Sequence, residues 1–380
     1  MDISTDYAKD LTGMINAVFQ WEAETAQSVG TGKVYIVDTT NDADETKSNT
    51  GNGTRINGIG EVSGGVMVGG IVGYSARDTH LELQGLVNKA TVRSEGNVAS
   101  TDLTSLGSQN IGGYTQASLS YQEGTEKPYI SEGGDPVNYS YTGGIIGMAG
   151  TNVTIDNCMN TGDVAVHALG TTYYGSLTEV NSGTIIRCQV KLPEQFQGIY
   201  AGGITGKNTA EGEIIDCMVS GTVIGSRMAG GIAAENFGSI TTPSKTLTMS
   251  GGVQSENGCI GGAVGFNAGT VTASDVNVKL SGDTYRAGGI AGINRGTINA
   301  AKAEGAILVS GGTGAVGGIA GESRGKITDC SFTGSVQAAG TGITGIGGII
   351  GLLSGEAVVT GCENNGKIEG SHNAGGIVGI

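Results

Sequence analysis

Proline is scarce in this chain, with four residues in 380, which excludes collagen-like and proline-rich linker sequences. Basic residues are also few. The 20 Lys and Arg stand against 35 Asp and Glu, a formal charge of −15 at pH 7. Such a field repels phosphate backbones and anionic lipid surfaces, so nucleic acid is not an expected partner. No window reaches the roughly 18 to 20 uninterrupted apolar residues that a membrane helix needs, and membrane insertion is not expected. The first residues carry neither a basic segment nor a following apolar run, so no export signal is visible. Cysteines at the close spacing of structural zinc sites are absent, and His80, His167 and His372 form no ligand pair.

Glycine, by contrast, supplies 72 of the 380 residues, against a usual ~7%. The excess is periodic. Two glycines, an aliphatic, a variable residue and a small residue open copies at Gly69, Gly143, Gly202, Gly230, Gly261, Gly288, Gly317, Gly347 and Gly375, with a degenerate copy at Gly175. From Gly143 onward the openings advance by 32, 27, 28, 31, 27, 29, 30 and 28 residues. A period of this size marks a solenoid, propeller or array. From Gly143 onward the repeat can be written as such an opening, then Asn-x-Gly, an aliphatic segment, a small residue and Gly-x-aliphatic, the last seen at Gly221, Thr222 and Val223. Three apolar segments too short to be helices, separated by turn residues, give one strand for each of three faces. The expected fold is therefore all-β: a parallel β-solenoid, or β-helix, of about 28 residues per coil, with Ile204, Ile214 and Val223 as interior positions.

Two columns of this repeat invite chemical readings. Cys158, Cys188, Cys217, Cys330 and Cys362 fall 13 or 15 residues after their own openings, where other copies have Pro243, Ser274 and Ala301. The position demands a small side chain, so free buried thiols are expected, with disulfides between neighbours such as Cys188 and Cys217 as the alternative. Asn181, Asn208, Asn236, Asn267 and Asn294 form the second column. Asparagines at a turn tolerate left-handed backbone and hydrogen-bond to one another between coils, which is a structural duty and not a ligand site.

Residues outside the repeat divide the chain further. Residues 1–68 are read as an N-terminal cap, with an amphipathic helix from Asp6 to about Gln20 (Tyr7, Leu11, Ile15, Val18) and first strands at Lys33 to Val37. Residues 69–99 hold the first weak repeats, 100–142 a tyrosine-rich insertion, and 143–380 the regular coils, which stop just after a fresh opening as a truncated solenoid would. Asp38, Asp42, Asp44 and Glu45 could gather round calcium, but they lack EF-hand spacing and are read as a solvated acidic loop, so no cofactor is expected. The insertion carries Tyr114, Tyr121, Tyr129, Tyr139 and Tyr141. Long irregular insertions often bear function, so Tyr121, Tyr129 and Tyr141 are the candidate ligand-binding residues, with packing of the insertion as the other reading.

The Gly-Gly-aliphatic-x-Gly openings, the Cys column and the Gly-x-Val segments resemble the GLUG-motif repeats. These occur in large bacterial surface proteins, including adhesin-like chains and the non-catalytic parts of some immunoglobulin A peptidases. The resemblance is good over 143–380, weak over Gly69 to Val92, and absent from the cap and the insertion. It implies a non-catalytic stalk or adhesive module, extracellular or at the cell surface, with a host glycan or protein or a neighbouring surface protein as partner. No catalytic residue is carried over, because the peptidase chains act through a His-Glu-x-x-His helix that this sequence lacks. An alternative is a polysaccharide-acting β-helix enzyme, a lyase or glycosidase, which needs paired carboxylates on one face. Asp156, Asp216 and Asp329 recur near the cysteines, but Arg187 and Ala300 replace them in other copies. A third reading, ice binding, needs an unbroken threonine array, and Glu213, Ser239 and Lys326 interrupt the row of Thr184, Thr270 and Thr297.

Overall fold

In the computed structural model the described residues are 20–22, 33–37, 40–42, 55–57, 61–64, 67–74, 80–94, 141–166, 173–193, 196–244, 247–370 and 373–380. Every regular element among them is a β-strand. They fall into two compact units, Met1–Gly170 with Ser176–Glu179, and Thr171–Gly175 with Val180–Ile380. Apart from Gln20–Glu22, the paired strands of both are parallel and stacked in register.

In the second unit, one face is formed by strands beginning at Thr184, Glu213, Ser239, Thr270, Thr297, Lys326 and Val358, each paired in parallel with the next. The mean advance is 29 residues over about seven coils. The middle residues of these strands form an aliphatic column, and Ile185, Ile214, Ile240, Val271, Ile298 and Ile327 are all fully buried. Burying one such side chain contributes about 1.5 to 3 kcal/mol. The column therefore fixes register, since a one-residue slip would turn every member outward. Ile204 and Val223, expected as interior residues, are likewise wholly buried, while Thr222 is half-exposed.

The glycine pairs are corners. A Cβ on Gly202 would collide with the carbonyl oxygen of Thr205 across the bend, and one on Gly203 would meet Gly231 O in the next coil. The first glycine closes the turn, and the second lets neighbouring coils touch backbone to backbone.

The cysteine column behaves as the small-residue reading requires. All six cysteines are free, five of them buried. Cys217 Sγ donates to Ile215 O at 3.4 Å and to Ile185 O in the preceding coil at 3.8 Å, and Cys330 makes the same pair of contacts with Thr328 O and Ile298 O. Ser274 donates to Thr272 O in the same way.

The asparagine column is half as expected. The hydrogen-bonded ladder forms, but none of its five residues has left-handed backbone, because each ends or lies within a paired strand. Left-handed geometry belongs instead to the residue just before the cysteine column: Arg187, Asp216, Ala273, Ala300 and Asp329 have φ of 47° to 54°.

In the first unit, Lys33–Val37 pairs in parallel with His80–Gln84, which pairs with Val153–Asp156. Glu61–Gly64 pairs with Thr91–Ser94, and that strand with Val164–Val166. Residues before the first glycine opening thus already contribute strands in register. Gln20–Glu22 adds antiparallel to Lys33–Val37. The rest of the expected N-terminal helix lies outside the described residues. Here a second asparagine contact, Asn88 Nδ2 to Asn160 Oδ1 at 2.8 Å, lies beside the openings and not after them.

Candidate functional site

Coil lengths vary mainly between the Gly-x-aliphatic segment and the next Gly-Gly corner, and this variation shapes the surface of the second unit. The strand Gln197–Gly202 pairs with Thr222–Gly230, with a register irregularity between Gly198 and Tyr200. The first half of Thr222–Gly230 pairs with Leu247–Glu256, and its second half leaves that strand to pair with Cys259–Gly261. Leu247–Glu256 in turn pairs with Asp275–Asp283. Register breaks of this kind re-aim side chains and are common beside binding sites. Here they leave a cleft of about 650 Å³, lined by side chains that include Tyr174, Gln197, Ser226, Gln254, Glu256 and Ser281.

Its components are placed by simple local rules. Gln197, Ile224, Gln254 and Ser281 are register partners on four successive coils. They alternate with the buried Val223, Val253 and Leu280, so they point outward. The ring of Tyr174 lies against the backbone of Gly198, where any Cβ would run into it. Glu256 and Asp283 are register partners at one rim, both exposed, and Asp283 Oδ1 accepts a hydrogen bond from Ser310 Oγ at 2.8 Å. The cleft thus offers an aromatic face, amides, hydroxyls and an acidic rim, which is equipment for hydrogen-bonded recognition.

The sequence-based candidates are elsewhere. Tyr121 and Tyr129 lie outside the described residues, as do His167, His372, Asp38, Asp44 and Glu45. Tyr141 is described and is buried, 3% exposed, in a strand paired with Met67–Gly69. Asp216 and Asp329 are left-handed turn residues, and Asp216 Oδ1 accepts from Ser244 N at 3.0 Å. His80 bonds to Glu82 at 3.2 Å. Among the described residues no group of three or more His, Cys, Asp or Glu is placed to hold a metal ion, and no helix is long and apolar enough to cross a membrane.

A second cluster also escaped sequence reasoning. Arg286 and Glu322 form a buried ion pair at 2.8 Å, with the guanidinium 4.0 Å from the Tyr285 ring centroid. One flank further, Tyr173 Oη donates to Glu235 at 2.7 Å, and Lys207 Nζ lies 4.8 Å from the Phe237 ring centroid. These charges sit on corner-flanking strands of different coils, Lys207 and Glu235 being register partners. They tie coil to coil outside the aliphatic interior.

The comparison with known families fits this geometry. A family model described as the GLUG motif matches residues 197–224 and 312–337. The chain carries the GLUG motif. Each matched segment spans one glycine corner, one rung of the polar ladder (Asn208 or Ser323), one cysteine (Cys217 or Cys330) and the buried valine of its Gly-x-Val segment (Val223 or Val336). The GLUG motif in this chain is therefore close to a single coil. No match is found among curated proteins or among solved structures.

Proposed function

We propose that the chain is a non-catalytic segment of a bacterial cell-surface or secreted protein, acting as a stalk or adhesive module. Its partner on this reading is a host glycan or protein, or a neighbouring surface protein. The observation that supports it most is the commitment of each coil to its neighbours. In the coil from Gly202 to Gly230, the corner, the ladder amide of Asn208, the thiol of Cys217 and the side chains of Ile204, Ile214 and Val223 are all engaged in stacking. A unit of this kind can be added or removed without altering a reaction centre, as suits a spacer. The occurrence of GLUG-motif repeats in adhesin-like chains points the same way. Recognition on this reading belongs to departures from the repeat, including the tyrosine-rich segment 100–142.

The test is a binding screen of the 380-residue chain against glycans, host-matrix proteins and bacterial surface extracts, with a Tyr121→Ser, Tyr129→Ser double variant as control. Tyr141 is kept because its ring is buried. Specific binding without change in the bound molecule supports the reading. Shortened or unsaturated saccharide products would replace it with the polysaccharide-acting enzyme.

A further inference from the structure

We propose that the cleft lined by Tyr174, Gln197, Gln254 and Ser281 binds a neutral oligosaccharide laid across successive coils. The inference rests on the reading of the chain as a binding module and names the ligand class of a site built by residues of its regular coils.

Four observations carry it. The first is the aromatic platform. Tyr174 is partly exposed, and its ring rests on the bare backbone of Gly198, which fixes its plane. A flat ring of this kind takes the apolar C–H face of a pyranose while leaving the sugar hydroxyls at its edges. The second is spacing. Gln197, Ile224, Gln254 and Ser281 succeed one another at the ~4.8 Å interval of paired strands, comparable with the length of one sugar unit. Amides and a hydroxyl therefore recur beside a linear chain of hydroxyls, each able to donate and accept.

The third observation excludes a peptide added to the sheet as a further strand. Adding a β-strand needs an unpaired edge, and Thr222–Ile224 is already paired on one side with Leu247–Glu256, while Gln197 and Gly198 pair with Ile224 and Gly225 on the other. Recognition here must go through side chains. The fourth is charge. Glu256 and Asp283, on adjacent rungs at the rim, repel uronates, sialates and phosphorylated sugars, and the net charge of −15 adds to this. An uncharged saccharide suffers no such penalty.

The test uses the 380-residue chain titrated calorimetrically with neutral glucan and mannan hexasaccharides and with a uronate hexasaccharide of the same length. Variants Tyr174→Ala, Gln254→Ala, Gly198→Ala and the Tyr121→Ser, Tyr129→Ser pair are run beside it. A neutral hexasaccharide is expected to bind, with Kd raised about tenfold by Tyr174→Ala or Gln254→Ala and unchanged by the Tyr121, Tyr129 pair. Gly198→Ala, which displaces the ring, should act like Tyr174→Ala. Gln254 is a surface position, so its variant remains informative if a change at Tyr174 or Gly198 disturbs the coil. Uronate binding as tight as neutral binding overturns the proposal. So does neutral binding that survives both Tyr174→Ala and Gln254→Ala. Loss of saccharide binding only in the Tyr121, Tyr129 pair removes the cleft but leaves the adhesive module standing. Failure of every saccharide removes the cleft while the protein-partner screen still decides the module.

Discussion

The Nδ2 of Asn236 donates to the Oδ1 of Asn267 at 2.8 Å, and both side chains are wholly buried. The same contact joins Asn181 to Asn208, Asn208 to Asn236 and Asn267 to Asn294, each at 2.8 Å, and the run passes from Asn294 to Ser323 Oγ at 3.1 Å. Asn236 is thus acceptor to one neighbour and donor to the other. Asn236→Ala should destabilise the second unit by about 2 to 4 kcal/mol, because it leaves one amide donor and one amide acceptor buried without these partners. Urea unfolding followed by circular dichroism measures the loss. A change below about 0.5 kcal/mol would mean the ladder is a consequence of stacking and not one of its causes.

Strand phase gives a sharper contrast between adjacent residues. Val223→Asp puts a carboxylate into the aliphatic interior and should cost several kcal/mol, whereas Thr222→Asp faces outward and should cost a small fraction of that. Equal melting temperatures for the two variants would contradict the phase.

Ala300 and Ala273 hold left-handed backbone, at φ of 51° and 47°, where Asp216 and Asp329 stand in other coils. A Cβ at such a position costs about 1 to 2 kcal/mol, of which the greater flexibility of unfolded glycine returns part. Ala300→Gly is therefore expected to stabilise by about 0.5 to 1 kcal/mol in the same unfolding experiment, whereas Ala301→Gly, one residue on and buried, should destabilise.

Two of the thiols should titrate late. Burial pushes Cys330 up from the ordinary 9.0 to about 12, and Cys259 up to about 11. A folded value above the unfolded one means that the contribution is complete below about pH 9 and is lost as pH rises toward the folded value. Stability should fall between pH 9 and 12, and Cys330→Ala, which puts the natural occupant of that column in another coil at this site, should flatten the fall. With a thiol reagent at pH 8, Cys362, which is less buried than the other five, should react first and the rest only after denaturant is added.

The fold was largely legible because its determinants are local and repeated. The Gly-Gly corner, the alternation at Thr222 and Val223 and the small residue at Cys217 each report one coil's geometry, and repetition turns weak signals into columns. The asparagine turn was misread for a physical reason. Left-handed backbone and ladder bonding both favour Asn, and only the structure separates Asn236, paired in a strand, from Asn157, at φ 51°. The strands at 33–64 pair in register without the glycine signature, so nothing in their sequence marked them as part of the stack. The cleft was illegible because it depends on which outward residues of different coils face each other. That is fixed by the register breaks after Gly198 and between Met249 and Val253, and by the point at which Thr222–Gly230 leaves Leu247–Glu256 for Cys259–Gly261, not by any motif.

The direction of the strand ladders also governs how the second unit bears load. Its strands run across the stacking direction, so tension applied from coil to coil opens one row of hydrogen bonds at a time, as in unzipping. Each released coil of roughly 29 residues would add about 100 Å of contour length at ~3.4 Å per residue. Between Asn181 and Ser323, one rung of the buried polar ladder breaks with each coil. The unit would then dissipate force in a series of similar steps, yielding gradually under drag where a single two-state core would fail at once.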